Sequence, residues 1–258
     1  MAQDKPPCVV VEDHHHWLEL TLNQPSSFNA LSEEMMQELQ VAINQANQNS
    51  ALACIIIKAT GKAFCAGHDL KQMQSHAKQE YYQKLFQQCS HLMQSIVQCS
   101  VPVIAQVQGI ATAAGCQLVA SCDLAIASHE ARFAVSGINL GLFCATPAVA
   151  LSRNIHPKHA MEMLLTGEFI SPLKAQNLGL INRVVPAEEL TSATRELANT
   201  ISQKASAAVR TGKAMFYPQL DMELEKAYEY ASEHMVNNLK DADTQRGLNA
   251  FINKKSRN

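Results

Sequence analysis

The chain has 258 residues, of which 47% are apolar and 17% are charged. This composition excludes disorder as the main state and is sufficient for one sizeable hydrophobic core. The 21 basic residues nearly balance the 23 acidic ones, which argues against a dedicated nucleic-acid-binding protein, because such proteins carry a basic face. No apolar run approaches the ~18 residues of a membrane-spanning helix.

Two further features concern the cellular compartment. The N-terminal MAQDKPP has neither an apolar signal core nor an Arg-rich amphipathic pattern. Eight cysteines are scattered through apolar stretches without a CxxC pair, and a chain of this length does not need disulfides to fold. We therefore expect buried thiols in a reducing compartment, either the cytoplasm or, if a transit peptide has been removed, the mitochondrial matrix.

In chain order, the N-terminal half predicts short strands that alternate with helices. Two extended patterns within 8–22 predict a hairpin, with His14, His15 and His16 at its turn; a solvent-facing strand start is favoured there over a metal site. Ser32 is a suitable N-cap for a helix with apolar residues from 35 to 46. The elements predicted next are a strand at 54–58, a loop at 60–70, a helix at 78–98, a strand at 102–107, a turn at 109–115, a helix at 116–121 and a strand at 124–127.

The C-terminal half continues this α/β layout and then becomes helical. Strand-like patterns at 131–135 and 140–143 are followed by helices at 148–151, 159–165 and 172–177 and by a strand at 181–185. Helices are predicted at 190–204, 207–215, 222–239 and 244–253, with Pro218 interrupting the pattern. These last helices indicate a subdomain or an oligomer contact.

Glycines and acidic residues restrict the possible chemistry. Six of the ten glycines, at 61, 67, 109, 115, 137 and 141, lie in loops after predicted strands, where tight turns and close approach of a ligand explain them equally well. A carboxylate base on these loops can only be Asp69, Asp123 or Glu130, and Asp123 is better interpreted as a structural acid. His68 is the best-placed group that titrates near neutral pH.

Ten segments together resemble one known family. They are LTLNQP at 20–25, NAL at 29–31, AFCAGHDL at 63–70, PVIA at 102–105, AGC at 114–116, CDLAIA at 122–127, ARF at 131–133, LTG at 165–167, GLI at 179–181 and VVP at 184–186. Over nearly the whole chain they resemble the crotonase (enoyl-CoA hydratase/isomerase) superfamily. The nearest resemblance is to its enoyl-CoA hydratase domain-containing proteins, which share GHDL at 67–70 and GLFC at 141–144 and lack the paired catalytic glutamates.

The resemblance implies an α/β fold, the crotonase (ClpP-like) spiral of ββα units with a C-terminal helical subdomain. It divides the chain into a core at 1–200 and helices at 201–258 that support oligomerisation, as a homotrimer or a dimer of trimers. It also implies an acyl-CoA substrate, with coenzyme A as part of that substrate and no tightly bound cofactor or metal.

The same resemblance assigns roles to individual residues. The backbone N–H groups of His68 and Ala114 are expected to hold the thioester oxygen. Ala113 and Ala114 stand where relatives often have glycine, and alanine is expected to be tolerated there if φ stays negative. The residues expected to contact coenzyme A are Ala66, His68, Asp69, Leu70, Lys71, Phe251 and Lys254.

Two departures from the family pattern concern the catalytic acids. Gln117 and Gly137 occupy the positions of the two glutamates that activate water in hydratases, and neither can exchange a proton. A water or small anion is expected in the gap at Gly137, lined by Ser136, Asn139, Cys144 and Thr146. His68 is the alternative proton carrier, and Cys144 is a disfavoured nucleophile.

Three functions remain open from the sequence. The first is a lyase or isomerase of fatty acid metabolism that stabilises an enolate of an acyl-CoA, with weak or absent hydratase activity. The second is a non-catalytic acyl-CoA binder or scaffold. The third, least favoured by the missing acids, is a genuine enoyl-CoA hydratase/isomerase.

Overall fold

The structure is a computed structural model that describes the backbone of residues 6–255 and the side chains up to residue 253. Nine strands are found in this part of the chain: β1 Val9–Asp13, β2 Trp17–Leu22, β3 Cys54–Ala59, β4 Ala63–Cys65, β5 Val103–Val107, β6 Ile110–Thr112, β7 Leu124–Ser128, β8 Arg132–Ala134 and β9 Arg183–Val185. Eleven α-helices are found there too: α1 Glu33–Gln48, α2 Leu70–Ser75, α3 Gln79–Gln98, α4 Ala114–Ser121, α5 Ala145–Ser152, α6 Pro157–Thr166, α7 Pro172–Leu178, α8 Leu190–Ser202, α9 Ser206–Gln219, α10 Leu224–Leu239 and α11 Ala242–Lys255.

Two sheets organise the strands of the described chain. The larger has the order β1-β2-β3-β5-β7-β9 and is parallel except for the β1–β2 hairpin. The smaller has the order β4-β6-β8 and is wholly parallel. In three successive units, β3–β4, β5–β6 and β7–β8, the chain gives one strand to each sheet before the helices that follow, which confirms the predicted spiral of ββα units.

Local sequence cues explain the best-predicted elements. The Ser32 side chain accepts a hydrogen bond from the Met35 amide, so it caps α1 as expected. The run Ile55–Ile57 is fully buried in β3, as expected for a β-branched strand covered on both faces. The 78–98 helix is confirmed as α3.

Several short elements differ from the prediction. The predicted loop at 60–70 contains β4, and the predicted turn at 109–115 contains β6. Three-residue strands are too short to show an alternating pattern. Residues 141–144 form no strand and connect a 3-10 turn at Ser136–Leu140 to α5. Pro218 lies inside the last turn of α9 rather than between two helices.

The core lies between the sheets and the helices that cover them. All eight cysteines are buried and form no disulfide with one another, as expected for their apolar surroundings. No helix in the described part of the chain is long and apolar enough to cross a bilayer.

Buried ion pairs tie the outer helices to this core. Glu19 on β2 is 1% exposed and accepts hydrogen bonds from Arg195 on α8 at 2.7 and 3.0 Å, and it pairs with Lys58 on β3. On α9, Lys213 donates to Asp123 Oδ2 at 2.6 Å and to the carbonyl of Ile96 at 2.9 Å.

Candidate functional site

Two loops meet where β4 and β6 end. Because these strands are parallel neighbours, their C-terminal ends lie at the same edge of the small sheet. Gly67 has φ +92°, and a Cβ atom there would lie 2.9 Å from the Ala113 Cβ and 3.2 Å from the Ala114 nitrogen. A Cβ atom on Gly115 would lie 2.0 Å from the Cys65 carbonyl oxygen. Both glycines are therefore needed for the close approach of the two loops.

Two backbone donors on these touching loops have no partner among the described residues. The neighbouring amides are occupied: Ala113 N–H donates to the Ala134 carbonyl at 3.0 Å, and Ala66 N–H to the Phe28 carbonyl at 3.1 Å. Within residues 6–255, the amides of His68 and Ala114 donate to no protein acceptor. Ala114 is also the first residue of α4, where the helix dipole favours negative charge.

Ala113 shows that this geometry is strained. Its φ is +51° and its ψ is −121°, a conformation that alanine rarely adopts. The expectation of a negative φ is therefore wrong for Ala113, although Ala114 lies within a regular helix. In this conformation the Ala113 amide donates a hydrogen bond to Ala134 on β8, and this bond holds the start of α4 next to Gly67.

The His68 side chain is enclosed beside its loop. Its ring packs edge-on against Phe86, with ring centroids 5.5 Å apart. Both ring nitrogens are buried and have no hydrogen-bond partner in the described part of the chain. Burial lowers the pKa of His68, and the nearby Leu31 backbone, which does not reach full hydrogen-bond geometry with the ring, opposes this effect only in part. The imidazole is therefore neutral at pH 7.

The residues next to His68 have simple structural surroundings. Asp69 caps α2, because its Oδ1 accepts hydrogen bonds from the amides of Lys71 at 2.9 Å and Gln72 at 3.1 Å. Leu70 and Lys71 are exposed and Ala66 is half-buried. Ala66, Asp69, Leu70 and Lys71 flank His68 in the chain and are called the rim.

Gln117 lies one helical turn beyond Ala114 on the same face of α4. Its side chain is 4% exposed, and its Oε1 is buried with no hydrogen-bond partner among the described residues. Helical side chains generally lean towards the helix N-terminus, and Ala114 lies on that side of Gln117. A buried amide without partners is unfavourable unless a ligand or water completes it.

The space beside Gly137 is filled rather than open. A Cβ atom there would lie 2.6 Å from the Leu142 carbonyl oxygen and 2.7 Å from Cys144 Sγ. The expected gap for an anion in this direction is therefore wrong, because the turn at Gly141 returns the chain against Gly137. Burial raises the pKa of the Cys144 thiol, although the Gly137 backbone opposes the effect, so this cysteine is a poor nucleophile.

The other residues expected around that gap have separate partners or positions. Ser136 Oγ and Thr112 Oγ1 share a hydrogen bond of 2.8 Å. Asn139 donates to the Gly167 carbonyl at 3.5 Å. Thr146 is half-buried in the first turn of α5. The Thr112–Ser136 pair was not predicted, since only its fold brings the hydroxyls together.

None of the three candidate carboxylates is available as a base. Asp69 is the α2 cap, and Glu130 is exposed in a turn. Asp123 accepts hydrogen bonds from the Val103 amide at 2.7 Å and from Tyr217 at 2.8 Å, besides Lys213. It is the structural acid that the sequence predicts, but its partners on α9 lie about ninety residues away and gave no local signal.

The remaining predicted residues lie elsewhere. Phe251 is 61% exposed on α11, and the side chain of Lys254 lies outside the described residues. In the histidine cluster, His14 Nε2 is 3.5 Å from Glu19 Oε1. Glu19 is already paired with two cationic side chains, which disfavours a metal ion there.

Comparisons with known proteins identify the same set of relatives. The enoyl-CoA hydratase/isomerase family model matches residues 13–258. The chain is 46% identical over 249 residues to enoyl-CoA hydratase domain-containing protein 3, mitochondrial, of Xenopus laevis, covering 96% of this chain and 85% of that protein. The human protein of the same name is 46% identical over 236 residues, covering 92% and 78%.

Solved structures show the same similarity in three dimensions. An enoyl-CoA hydratase of Mycobacterium smegmatis has a TM-score of 0.95 at 49% identity, covering 96% of this chain and 97% of that one. The human enoyl coenzyme A hydratase domain-containing protein 3 has a TM-score of 0.93 at 44% identity, covering 96% and 98%.

Proposed function

The chain belongs to the enoyl-CoA hydratase/isomerase family, and on that premise we propose that it binds acyl-CoA thioesters and stabilises their enolates. The observation that carries the proposal is the pair of free amides, His68 N–H and Ala114 N–H, on two loops in contact. We infer that both amides bind the same thioester oxygen. Coenzyme A enters as part of the substrate, and the proposal needs no tightly bound cofactor.

Electrostatics supports this role for the two amides. When a proton leaves the carbon next to a thioester, negative charge develops on the carbonyl oxygen. Fixed donors that are already oriented towards that oxygen stabilise the charge without reorganising, and each is typically worth about 3 kcal/mol. The dipole of α4 acts in the same direction at Ala114.

Ordinary hydration of a double bond is expected to be weak. Hydration needs one group to take a proton from water and one to supply a proton to carbon, and each typically contributes 10²–10⁴-fold. Gln117 cannot take a proton, and Gly137 has no side chain. His68 is the proposed proton carrier, because its ring is neutral and its nitrogens are unpaired among the described residues.

Two assays on the purified protein test this proposal. We expect little or no hydration of crotonyl-CoA, but measurable exchange of the C2 protons of butyryl-CoA for deuterium, followed by mass spectrometry. His68→Gln should retain butyryl-CoA binding and lose the exchange. Hydration at ordinary enzyme rates would contradict the proposal.

A non-catalytic acyl-CoA binder is the second candidate. The absence of a usable carboxylate among Asp69, Asp123 and Glu130 favours it. Binding of butyryl-CoA without C2 exchange would identify this alternative. The variant Gln117→Glu then restores one acid, whereas Gly137→Glu is unsuitable because its Cβ atom would collide with the Leu142 backbone.

Coenzyme A is proposed to bind next to His68 and against a neighbouring subunit. Ala66, Asp69, Leu70 and Lys71 form the rim that would contact the nucleotide and pantetheine. Phe251 and Lys254 would contact it from a neighbouring subunit.

We propose a homotrimer or a dimer of trimers acting in fatty acid metabolism, with the C-terminal helices from 201 onwards as the contact between subunits. The mitochondrial names of the Xenopus and human relatives favour the matrix over the cytoplasm.

A further inference from the structure

The His68 amide can serve as a donor only if the peptide between Gly67 and His68 keeps one orientation. Gly67 has φ +92° and, as a glycine, can adopt several backbone conformations. Its carbonyl accepts a hydrogen bond from the Leu31 amide at 2.7 Å. Because the peptide is planar and trans, this bond directs the His68 N–H away from Leu31 and also polarises it. The Leu31 amide therefore determines where the His68 N–H points.

The segment that carries Leu31 contacts the His68 loop at two places. The carbonyl of Phe28 accepts a hydrogen bond from the Ala66 amide at 3.1 Å, and Leu31 forms an isolated parallel bridge with His68. Residues 28–31 belong to no helix or extended strand. Their position therefore depends on individual hydrogen bonds rather than on a regular backbone ladder.

Asn29 supplies the side-chain bonds that fix this segment. It is 0% exposed and has φ +53°, a left-handed conformation that asparagine tolerates better than most residues. Its Oδ1 accepts a hydrogen bond from the Gln24 amide at 2.8 Å. Its Nδ2 donates to the carbonyls of Thr60 at 2.8 Å and Ala63 at 2.9 Å. One buried side chain thus joins the segment before α1 to the start of β4, the strand that leads into the loop of the His68 amide.

We infer that Asn29 is a positioning residue for the proposed thioester site: it holds residues 28–31 so that the Leu31 amide orients the His68 N–H. Both N–H bonds of the Asn29 side chain go to backbone carbonyls, so the side chain has no donor left for a ligand. Its effect on binding is therefore indirect. The inference rests on the proposed function, because its consequence is visible only if a thioester oxygen lies at the His68 amide.

Calorimetry with butyryl-CoA and S-butyl-coenzyme A tests this role in Asn29→Gly. The second compound is a thioether without the thioester oxygen, so the ratio of the two affinities reports on the two amide donors. Glycine adopts a positive φ without strain, and the substitution therefore removes the side-chain bonds without straining the backbone. We expect the ratio to fall by about threefold or more, as for a weakened hydrogen bond, while the affinity for the thioether changes by less than about twofold.

The matched control is Asn182→Gly. Asn182 Oδ1 accepts a hydrogen bond at 2.8 Å from the amide of Ala125 on β7 of the large sheet, so this variant also loses an asparagine bond between two chain segments. Its affinity ratio should equal that of the wild type. An unchanged ratio in Asn29→Gly, or an equal loss of affinity for both compounds, would overturn the inference and leave Asn29 with a structural role only.

A measurement on the wild type keeps the test valid if Asn29→Gly does not fold. Amide hydrogen exchange, followed by NMR, should be slow at Leu31 in the free protein. At His68 it should become slow with butyryl-CoA but not with the thioether. Rapid exchange at Leu31 would overturn the inference alone, whereas equal affinities of the wild type for the two compounds would refute the proposed function and the inference together.

Discussion

Ala113 holds the start of α4 in place at an energetic cost. A non-glycine residue in a sparsely populated region of φ and ψ typically costs about 1–3 kcal/mol, and the φ of Ala113 is +51°. The strain persists because the Ala113 amide bonds to β8 and its methyl group packs against Gly67. It is found at the amide pair, where a fixed orientation matters most.

Removing this strain should stabilise the protein. We predict that Ala113→Gly raises the free energy of unfolding by about 1 kcal/mol, the relief of strain being reduced by the greater freedom of glycine in the unfolded chain. Urea denaturation measures the change. In the control Ala114→Gly, where the backbone is already helical, stability should fall. Lower stability of Ala113→Gly would contradict the strained conformation.

His68 should make stability depend on pH. Its pKa is lowered in the fold by burial, whereas the unfolded chain titrates near 6.5. Just below that pH the unfolded chain binds more protons, so the free energy of unfolding should decrease as the pH falls from about 7.5 to 5.5. We measure the free energy of unfolding by urea titration at several pH values in this range. It should depend less steeply on pH for His68→Gln than for the wild type. Identical slopes would show that the ring is not buried as described.

At the candidate site, the sequence predicts which residues take part but not the conformation of their loops. The amides of His68 and Ala114 and the missing acids at 117 and 137 follow from the family motifs. The positive φ of Ala113 and the filled space at Gly137 do not, because each depends on a chain segment that returns from elsewhere, β8 in one case and Leu142 in the other.

Besides the packing of Ala198 and the Gln106–Thr191 hydrogen bond, one carboxylate attaches the outer helix α8 to the sheet. Glu19 is buried, which raises its pKa, but hydrogen bonds from Arg195 and Lys58 outweigh burial and lower the pKa from 4.5 to about 2. The attachment is therefore fully present above about pH 4.5 and is lost as the pH falls towards 2. Three elements, β2, β3 and α8, depend on it.

Breaking this attachment should be costly. We predict that Glu19→Gln lowers the free energy of unfolding by about 3 kcal/mol, because two cationic side chains lose their buried partner. The control Glu12→Gln removes an exposed partner of Lys58 at 3.0 Å and should cost less than about 1 kcal/mol. Chemical denaturation at pH 7 compares the two, and equal losses would argue against the role given to Glu19.

Elements were predictable where their signals are local. The hairpin, α1 and α3 carry alternation, an N-cap and helical spacing within their own residues. The strands β4 and β6 have three residues each, which is too few for a pattern, so only their pairing in the fold shows that they are strands. The Asp123–Lys213 contact joins residues far apart in the chain and is visible only in the fold.

At the scale of the whole molecule, the C-terminal helices are notable for their exposed apolar surface. Large apolar side chains are exposed along α9, α10 and α11, among them Leu224 at 73% and Met235 at 67%. Exposed apolar side chains in this number favour an interaction surface on these helices. A second copy of the chain is the partner that the proposed assembly requires.

Sedimentation can test this assembly. We predict that the wild-type protein sediments as a trimer or hexamer and that Met235→Glu shifts it towards monomer, because a charge cannot be buried in an apolar contact without a partner. The control Val41→Glu changes an exposed apolar residue on α1 and should leave the assembly intact. A monomeric wild type would contradict the proposed oligomer.

The two main-chain N–H groups of His68 and Ala114 are proposed to bind the oxygen of an acyl-CoA ester together. Calorimetry with butyryl-CoA and with S-butyl-coenzyme A, a thioether that lacks this oxygen, tests it most directly. The ester should bind at least about tenfold more tightly, since two hydrogen bonds of ~1 kcal/mol each are lost in the thioether. Equal affinities, or no binding of either compound, would contradict the account.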